Sequence, residues 1–187
     1  MIDHFRLLAP FYDRLIQPPD PQRLQERLKL PSEGALLDAG GGTGRVSRHL
    51  EHLVDFLVVS DESPAMLQQA HDKGLQATVS AGAEKLPFAS RTFSRVLVVD
   101  ALHHFADQRR AIGELVRVLR PGGRLVIEEP DLSRLLVKFV ALAEKLALMR
   151  SHFYYPQEIA RMVASYGLQP RIERDEQSTA WIIADKA

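Results

Sequence analysis

"LLDAGGGTGR", residues 36–45, passes from two leucines through an acid into four glycines, three of them consecutive. A stretch with so few side chains lets backbone amides come close to a ligand. Its neighbours decide which ligand. The phosphate loop of nucleotide hydrolases requires a Lys and then a Ser or Thr after its last glycine, whereas Gly44 is followed by Arg45 and Val46. The dinucleotide fingerprint requires a third glycine three residues beyond the second. With Gly40 and Gly42 as the first two, that position is Arg45; with Gly41 as the first, the second falls on Thr43. What is left is an acid, Asp38, two residues ahead of three alternating glycines, Gly40, Gly42 and Gly44.

Outward from this loop, short apolar runs alternate with helical patterns, the signature of a parallel sheet covered on both faces. The pattern predicts a helix over 21–29, a strand over 35–38, a helix over 45–53 and a second strand over 56–60. A helix over 65–73 follows, closed by Gly74. A third strand is expected over 75–79, and a fourth, "RVLVVD", ends at Asp100. Asp107 is placed to cap a helix running to residue 119, where "RPGG" turns the chain into a fifth strand, "RLVIEE". An apolar helix over 135–149, a helix over 157–166, and two extended runs over 169–173 and 179–184, read as a closing antiparallel pair, complete the pattern. Asp38, Asp61, Asp100 and Glu129 then stand at strand ends. Ligands of open parallel sheets bind beyond those ends, where the strand order reverses.

At 187 residues the chain fits one domain, expected as lid helices over 1–30, a binding core over 31–130, and substrate-side helices with the closing strands over 131–187. Lys plus Arg and Asp plus Glu balance at 24 each, so the field that non-specific nucleic-acid binding needs is lacking. A small or neutral partner is expected instead. Without cysteine there is no disulfide, thiolate zinc site or cysteine nucleophile. His49 and His52 sit at helical spacing with no third ligand nearby and read as a solvated face, so no metal is expected. Arg109 and Arg110 read as surface charge. The N-terminal stretch carries acids and lacks a signal-peptide core. The apolar run over 135–149 is interrupted by Lys138, Glu144 and Lys145 and is too short to cross a bilayer. A cytoplasmic monomer or homodimer with no membrane insertion is expected.

The chain resembles the class I S-adenosylmethionine-dependent methyltransferases, of the compact, type 11-like kind, over nearly its whole length. Besides "LLDAGGGTGR", the resemblance is carried by "VVSDESPAML" after the second strand, "AGAEKLPF" after the third, "DALHHF" at the end of the fourth and "VLRPGGRLVIEEP" leading into the fifth. "APFYD" is similar to the N-terminal lid and "AWIIADK" to the last strand. It implies an α/β fold: a Rossmann-like three-layer sandwich around a seven-stranded, mostly parallel sheet of order 3-2-1-4-5-7-6 with the last strand antiparallel. It also implies S-adenosyl-L-methionine as methyl donor, S-adenosyl-L-homocysteine as product and a small-molecule methyl acceptor.

On that footing Gly40, Gly42 and Gly44 let the backbone approach the methionine end of the donor, and amides at the start of the next helix favour its carboxylate. Asp38 orients the loop and favours cationic groups. Asp61, with Glu62 beside it, accepts the ribose hydroxyls, a task for which a carboxylate has two oxygens. Met66 lies against adenine or packs in the core. In "AGAE", Gly82 stands where the family often has an Asp that binds the adenine amino group. Ala83 then contacts adenine through its backbone and Glu84 reaches inward, so a weakly held cofactor is expected. Tyr12 closes over the cofactor.

Methyl transfer is an in-line displacement that depends mostly on alignment and exclusion of water. A base is needed only when the acceptor holds its proton. His103 and His104 are the candidate bases; the alternative, which carries more weight, is that one caps the following turn and the other packs under the lid. Their adjacency points them apart, so at most one faces the substrate; Asp100 orients the acceptor or supports the imidazole. The apolar helix and "HFYYP" after it pack on the sheet, the leading reading, or else roof an acceptor pocket or form a dimer face. A methyltransferase-like binding module without turnover is the alternative. Neutral charge and the absence of an Asn-Pro-Pro-Tyr type segment at the fourth strand stand against a nucleic-acid methyltransferase.

Overall fold

The computed structural model describes residues 20–134, 137, 151–175 and 178–187. Tyr12, nearly all of the expected lid and all but one residue of the apolar helix over 135–149 lie outside the described residues. Helix α1 (Pro21–Leu28) is started by Asp20, whose carboxylate accepts from the Gln22 amide at 2.9 Å, with Pro21 in the first turn. Then come β1 (Ser32–Ala39), β2 (Val54–Asp61), α2 (Pro64–Asp72), β3 (Thr78–Ser80), β4 (Phe93–Val99), α3 (Gln108–Val118), β5 (Leu119–Pro130), α4 (Pro156–Ala164), β6 (Arg171–Arg174) and β7 (Thr179–Asp185). They form a seven-stranded sheet of order β3-β2-β1-β4-β5-β7-β6. All pairings from β3 across to β5 are parallel, and β7 runs antiparallel to both β5 and β6. The expected topology is present.

Strand residues alternate between two buried faces. Leu37, Val96, Val98, Leu125 and Ile127 pack against Ile112 and Leu115 of α3 and Ile159 and Met162 of α4. Leu36, Leu97, Val99, Val126 and Trp181 pack against Leu24 and Leu28 of α1 and Leu67 and Ala70 of α2. Burial on both faces is why the strands read as nearly continuous apolar runs. Trp181 is fully buried, with the Arg27 guanidinium 4.4 Å from its ring centre.

Four expected boundaries are corrected. The helix over 45–53 is two 3-10 turns, Ser47–His49 and Glu51–Leu53. Their amides bond three residues back, Leu50 to Ser47 at 2.9 Å and Leu53 to Leu50 at 3.0 Å, while the Ser47 hydroxyl is committed to Asp38 at 2.6 Å. The third strand is only Thr78–Ser80, because the Leu75 amide turns back to the Ala70 carbonyl at 3.2 Å and its side chain is buried. "RPGG" does not precede β5 but forms an irregularity within it, where the pairing with β4 shifts between Phe93 and Arg95 and the Gly122 amide bonds the Lys186 carbonyl at 2.7 Å. The helix over 157–166 stops at Ala164. Asp107 caps α3 as expected, accepting from the Arg110 amide at 3.0 Å.

Candidate functional site

Strand order reverses between β1 and β4: the chain moves from β1 outward to β3, then returns to β4 on the other side of β1. Above the carboxyl ends of these strands lies a cleft of about 260 Å³, floored by Gly40, Gly41 and Gly42 and walled by the segments after β2, β3 and β4. The glycine loop is tied down at its start, Gly40 and Gly41 donating to the Ser60 carbonyl at 2.7 and 3.2 Å. Gly40 has φ 72, and a Cβ there would lie 2.7 Å from Ala101 and 3.0 Å from the Phe105 ring. Gly42 has φ 56, and its missing Cβ faces open space, with only Asp61 Oδ2 as near as 3.9 Å. Gly41 is needed for another reason: a Cβ there would lie 2.7 Å from the Asp38 carboxyl and 2.8 Å from Val59.

Asp38 is 1% exposed and lines the cleft. Its Oδ2 accepts from Ser47, and its Oδ1 is buried with no hydrogen-bond partner. Burial pushes its carboxyl up to about 6, against the opposing effects of the Ser47 hydrogen bond and the Arg45 charge. Arg45, also buried, lies 3.6 Å from Asp100, which enters the cleft with φ 52. Next to them Glu128 of β5 is buried, and burial together with the charges of Asp100 and Glu129 pushes it up to about 8. Its Oε2 has no hydrogen-bond partner.

Asp61 bridges the glycine loop to the next segment: Oδ2 accepts from the Gly42 amide at 2.9 Å and Oδ1 from the Ser63 amide at 2.8 Å. Glu62, Ser63 and Met66 continue this wall, with Met66 at once buried in the core and on the cleft. Ala81, Ala83 and Glu84 form the facing wall. Glu84 is held by the Asp107 amide at 3.1 Å. Gly82 does not line the cleft; a Cβ there would overlap the Glu62 carboxyl and lie 3.0 Å from Glu84 Oε2. Two neighbouring glutamates thus occupy the space of the missing side chain. Gly44 does not line the cleft either, and its Cα sits beneath Leu75 and Ala70. Packing against Leu75 and Ala70 by itself accounts for a glycine here. The expected helix start is replaced by the loop amides and the 3-10 turn.

The two histidines diverge as their adjacency requires. His103 is 4% exposed, points away from the cleft and stacks on Phe153 with ring centres 4.3 Å apart. Its Nδ1 meets Glu129 Oε2 at 2.7 Å, and Glu129 Oε1 accepts from the Ala101 and Leu102 amides at 3.1 and 2.7 Å. The His152 amide bonds the His103 carbonyl at 2.7 Å, and Gln108 joins the carbonyls of Leu102 and His152 at 2.9 and 2.7 Å. This network fixes the segment after β4 as the cleft's wall. His104 lines the cleft and meets Ser151 at 3.2 Å. Burial, with His103 beside it, pushes its imidazole down to about 3. A ring that stays neutral at working pH orients a ligand through hydrogen bonds but is a weak base. Of the expected residues, the structure brings together Asp38, Gly40, Gly42, Asp61, Glu62, Met66, Ala83, Glu84, Asp100 and His104. Sequence reasoning missed Gly41, Arg45 and Phe105 on the cleft and Ser47 beneath it. A polar Ser47 at a helix-like position facing the sheet was the available signal.

Residues 37–127 match a family model described as a methyltransferase domain. The ubiquinone/menaquinone biosynthesis C-methyltransferase of Stutzerimonas stutzeri is 34% identical over 122 aligned positions, covering 57% of this chain and 48% of the relative. The chain therefore spans about half the length of the curated relatives it matches. A SAM-dependent methyltransferase from Thermotoga maritima superposes with a TM-score of 0.80 at 21% identity, covering 98% of both chains. A Haloferax volcanii chain solved with the Trm112 methyltransferase activator superposes with a TM-score of 0.79 at 16% identity, covering 99% of this chain and 98% of its own. The resemblance to S-adenosylmethionine-dependent methyltransferases is borne out as a resemblance: residues 37–127 match the methyltransferase-domain model, and the sheet has the Rossmann-like order expected from it.

Proposed function

We propose that this protein is an S-adenosylmethionine-dependent methyltransferase acting on a small-molecule acceptor. The observation that carries the reading is the cleft at the switch between β1 and β4, where Asp38, the bare amides of Gly40–Gly42 and Asp61 converge. The residues fit the donor's chemistry. The orphaned Asp38 Oδ1 suits an ammonium, the glycine loop leaves open space above Gly42, and the Asp61 carboxylate on the cleft is of the chemistry that suits a diol. Met66, Ala81 and Ala83 offer an apolar slot for a base.

When bound, S-adenosylmethionine supplies a methyl group already activated by its sulfonium. The chain's part is alignment and exclusion of water. The segment after β4, clamped by Glu129, holds Ala101, His104 and Phe105 at the cleft. His104, neutral at physiological pH, orients an acceptor by hydrogen bonding, while Asp100, paired with Arg45, is the carboxylate best placed to take a proton from one. His103 supports the wall through Glu129 and touches no ligand. The quinone-pathway relatives favour a neutral small-molecule acceptor, in keeping with the chain's balanced charge.

Incubation with labelled S-adenosylmethionine and pooled metabolites tests the reading. Label in an extractable small product supports it. Donor binding with no transfer across broad pools favours the binding module, which the low basicity of His104 leaves as the second reading.

A further inference from the structure

His104 is the one imidazole lining the cleft among the described residues, and its placement is set by a segment outside the cleft. The segment before α4 is tied to the segment after β4: the His152 amide donates to the His103 carbonyl at 2.7 Å, and the Gln108 side chain donates to the Leu102 and His152 carbonyls at 2.9 and 2.7 Å. That tie brings Ser151 to His104, 47 residues earlier in the chain, with Oγ 3.2 Å from Nδ1. The His104 ring also lies against His103, with centres 4.0 Å apart, and His103 in turn stacks on Phe153. Stacking holds the plane of an imidazole, but it does not choose between the two flips of the ring, which exchange Nδ1 for a carbon. The Ser151 hydroxyl makes that choice. It carries one proton, which turns to suit, and Nδ1 is its one hydrogen-bond partner among the described residues.

We infer that Ser151 is a positioning residue: its hydroxyl donates to Nδ1 and holds His104 with its proton on Nε2, so that the ring meets the methyl acceptor as a hydrogen-bond donor. The consequence for the acceptor rests on the function proposed above; the tautomer does not. In a neutral imidazole one nitrogen donates and the other accepts, and the hydrogen bond at one fixes the role of the other. Burial keeps this ring neutral. With Nδ1 accepting from Ser151 and Nε2 protonated, His104 takes no proton from an acceptor. The group that Nε2 meets must offer a lone pair, as a carbonyl, enolate or phenolate oxygen does. That selects an acceptor molecule carrying such an oxygen over a plain amine. His103 is arranged the other way: its Nδ1 faces the Glu129 carboxylate, which accepts, so its proton sits on Nδ1. The adjacent histidines thus differ in which ring nitrogen is committed as donor.

Long-range proton–nitrogen NMR correlation on the full chain, with isotopically labelled histidine, reads the tautomers directly; His103→Gln and His104→Gln identify the two rings. His104 is expected in the Nε2–H form and His103 with Nδ1 protonated. Ser151→Thr, which keeps the hydroxyl, is expected to leave the His104 pattern unchanged. Ser151→Ala is expected to lose it, giving a mixture of the two forms while circular dichroism shows the fold retained. Ser151→Cys, of nearly the same size but a weak donor, is expected to do the same in lesser degree and decides the matter if the alanine variant does not fold. His104 protonated on Nδ1 in the parent, or a single Nε2–H form that persists in Ser151→Ala and Ser151→Cys, overturns the inference. Label from S-adenosylmethionine found only on amines that lack a carbonyl or acidic hydroxyl overturns the acceptor class. Failure of S-adenosylhomocysteine to bind in calorimetry overturns the donor reading and leaves the tautomer assignment standing.

Discussion

Glu128→Gln removes a buried carboxyl from beneath the cleft while keeping its size. In the folded chain burial, reinforced by Asp100 and Glu129, raises this group from 4.5 to about 8. Folding therefore carries no penalty from it below about pH 4.5, a penalty that grows as the unfolded chain ionises, and a full penalty above about pH 8. Linkage across that interval gives roughly 3 kcal/mol at pH 7 and nearly 5 kcal/mol at pH 9. Gln keeps the shape and cannot ionise, so the variant escapes the penalty. For a chain of this size roughly 2–4 °C in Tm corresponds to each kcal/mol. The Tm advantage of Glu128→Gln over the parent is thus expected to be about 6–12 °C larger at pH 7 than at pH 4, and larger again at pH 9. Thermal melts followed by circular dichroism at the three values measure it. A Tm difference that is the same at all three refutes the reasoning, since it would mean that Glu128 ionises in the folded state as readily as in water.

Gly42→Ala and Gly44→Ala separate ligand space from packing. The first meets open space and is expected to cost about 1–2 kcal/mol of backbone strain while abolishing S-adenosylhomocysteine binding; the second overlaps Leu75 and is expected to cost about 3 kcal/mol or more. Denaturant melts and calorimetry report the two effects. Glu129→Ala strands the Ala101 and Leu102 amides and the His103 ring, all buried, and is expected to lower stability by about 3 kcal/mol in urea melts. The His104 imidazole, pushed down to about 3, is expected to show no titration by NMR between pH 5 and 8; an inflection near 6.5 would contradict its placement. Trp181→Ala is expected to cost about 3–5 kcal/mol, read as a large shift of the urea midpoint.

The sheet was legible because its strands are buried on both faces and so differ plainly from the helical segments between them. That Asp38, Gly40, Gly42 and Asp61 share one cleft was legible because they stand at the ends of β1 and β2 and in the loop between them, beside the point where strand order reverses. Residues 47–53 were misread because "SRHLEHL" has helical spacing, and only the Ser47 bond to Asp38, a contact across nine residues, distinguishes a 3-10 turn from a helix. The packing of Leu75 and Ala70 over Gly44 was not legible, because sequence shows that a side chain is missing and not what fills its space. For the same reason the two histidines could be divided into one inward and one outward only when Glu129, 26 residues away, was in place. Arg45 was used in the sequence only to reject a dinucleotide loop, although its burial beside Asp100 makes it the cleft's one lining cation among the described residues.

The account turns on a methyl donor seated against Asp61. Titration calorimetry of S-adenosylhomocysteine into the parent chain and into Asp61→Ala tests that most directly, with circular dichroism confirming that both are folded. Asp61 joins the Gly42 and Ser63 amides at the cleft, where the proposed function seats the ribose. Saturable one-to-one binding to the parent, weakened at least tenfold in the variant, is the predicted result. No heat of binding to the parent at millimolar ligand, or an affinity untouched by the substitution, would contradict it.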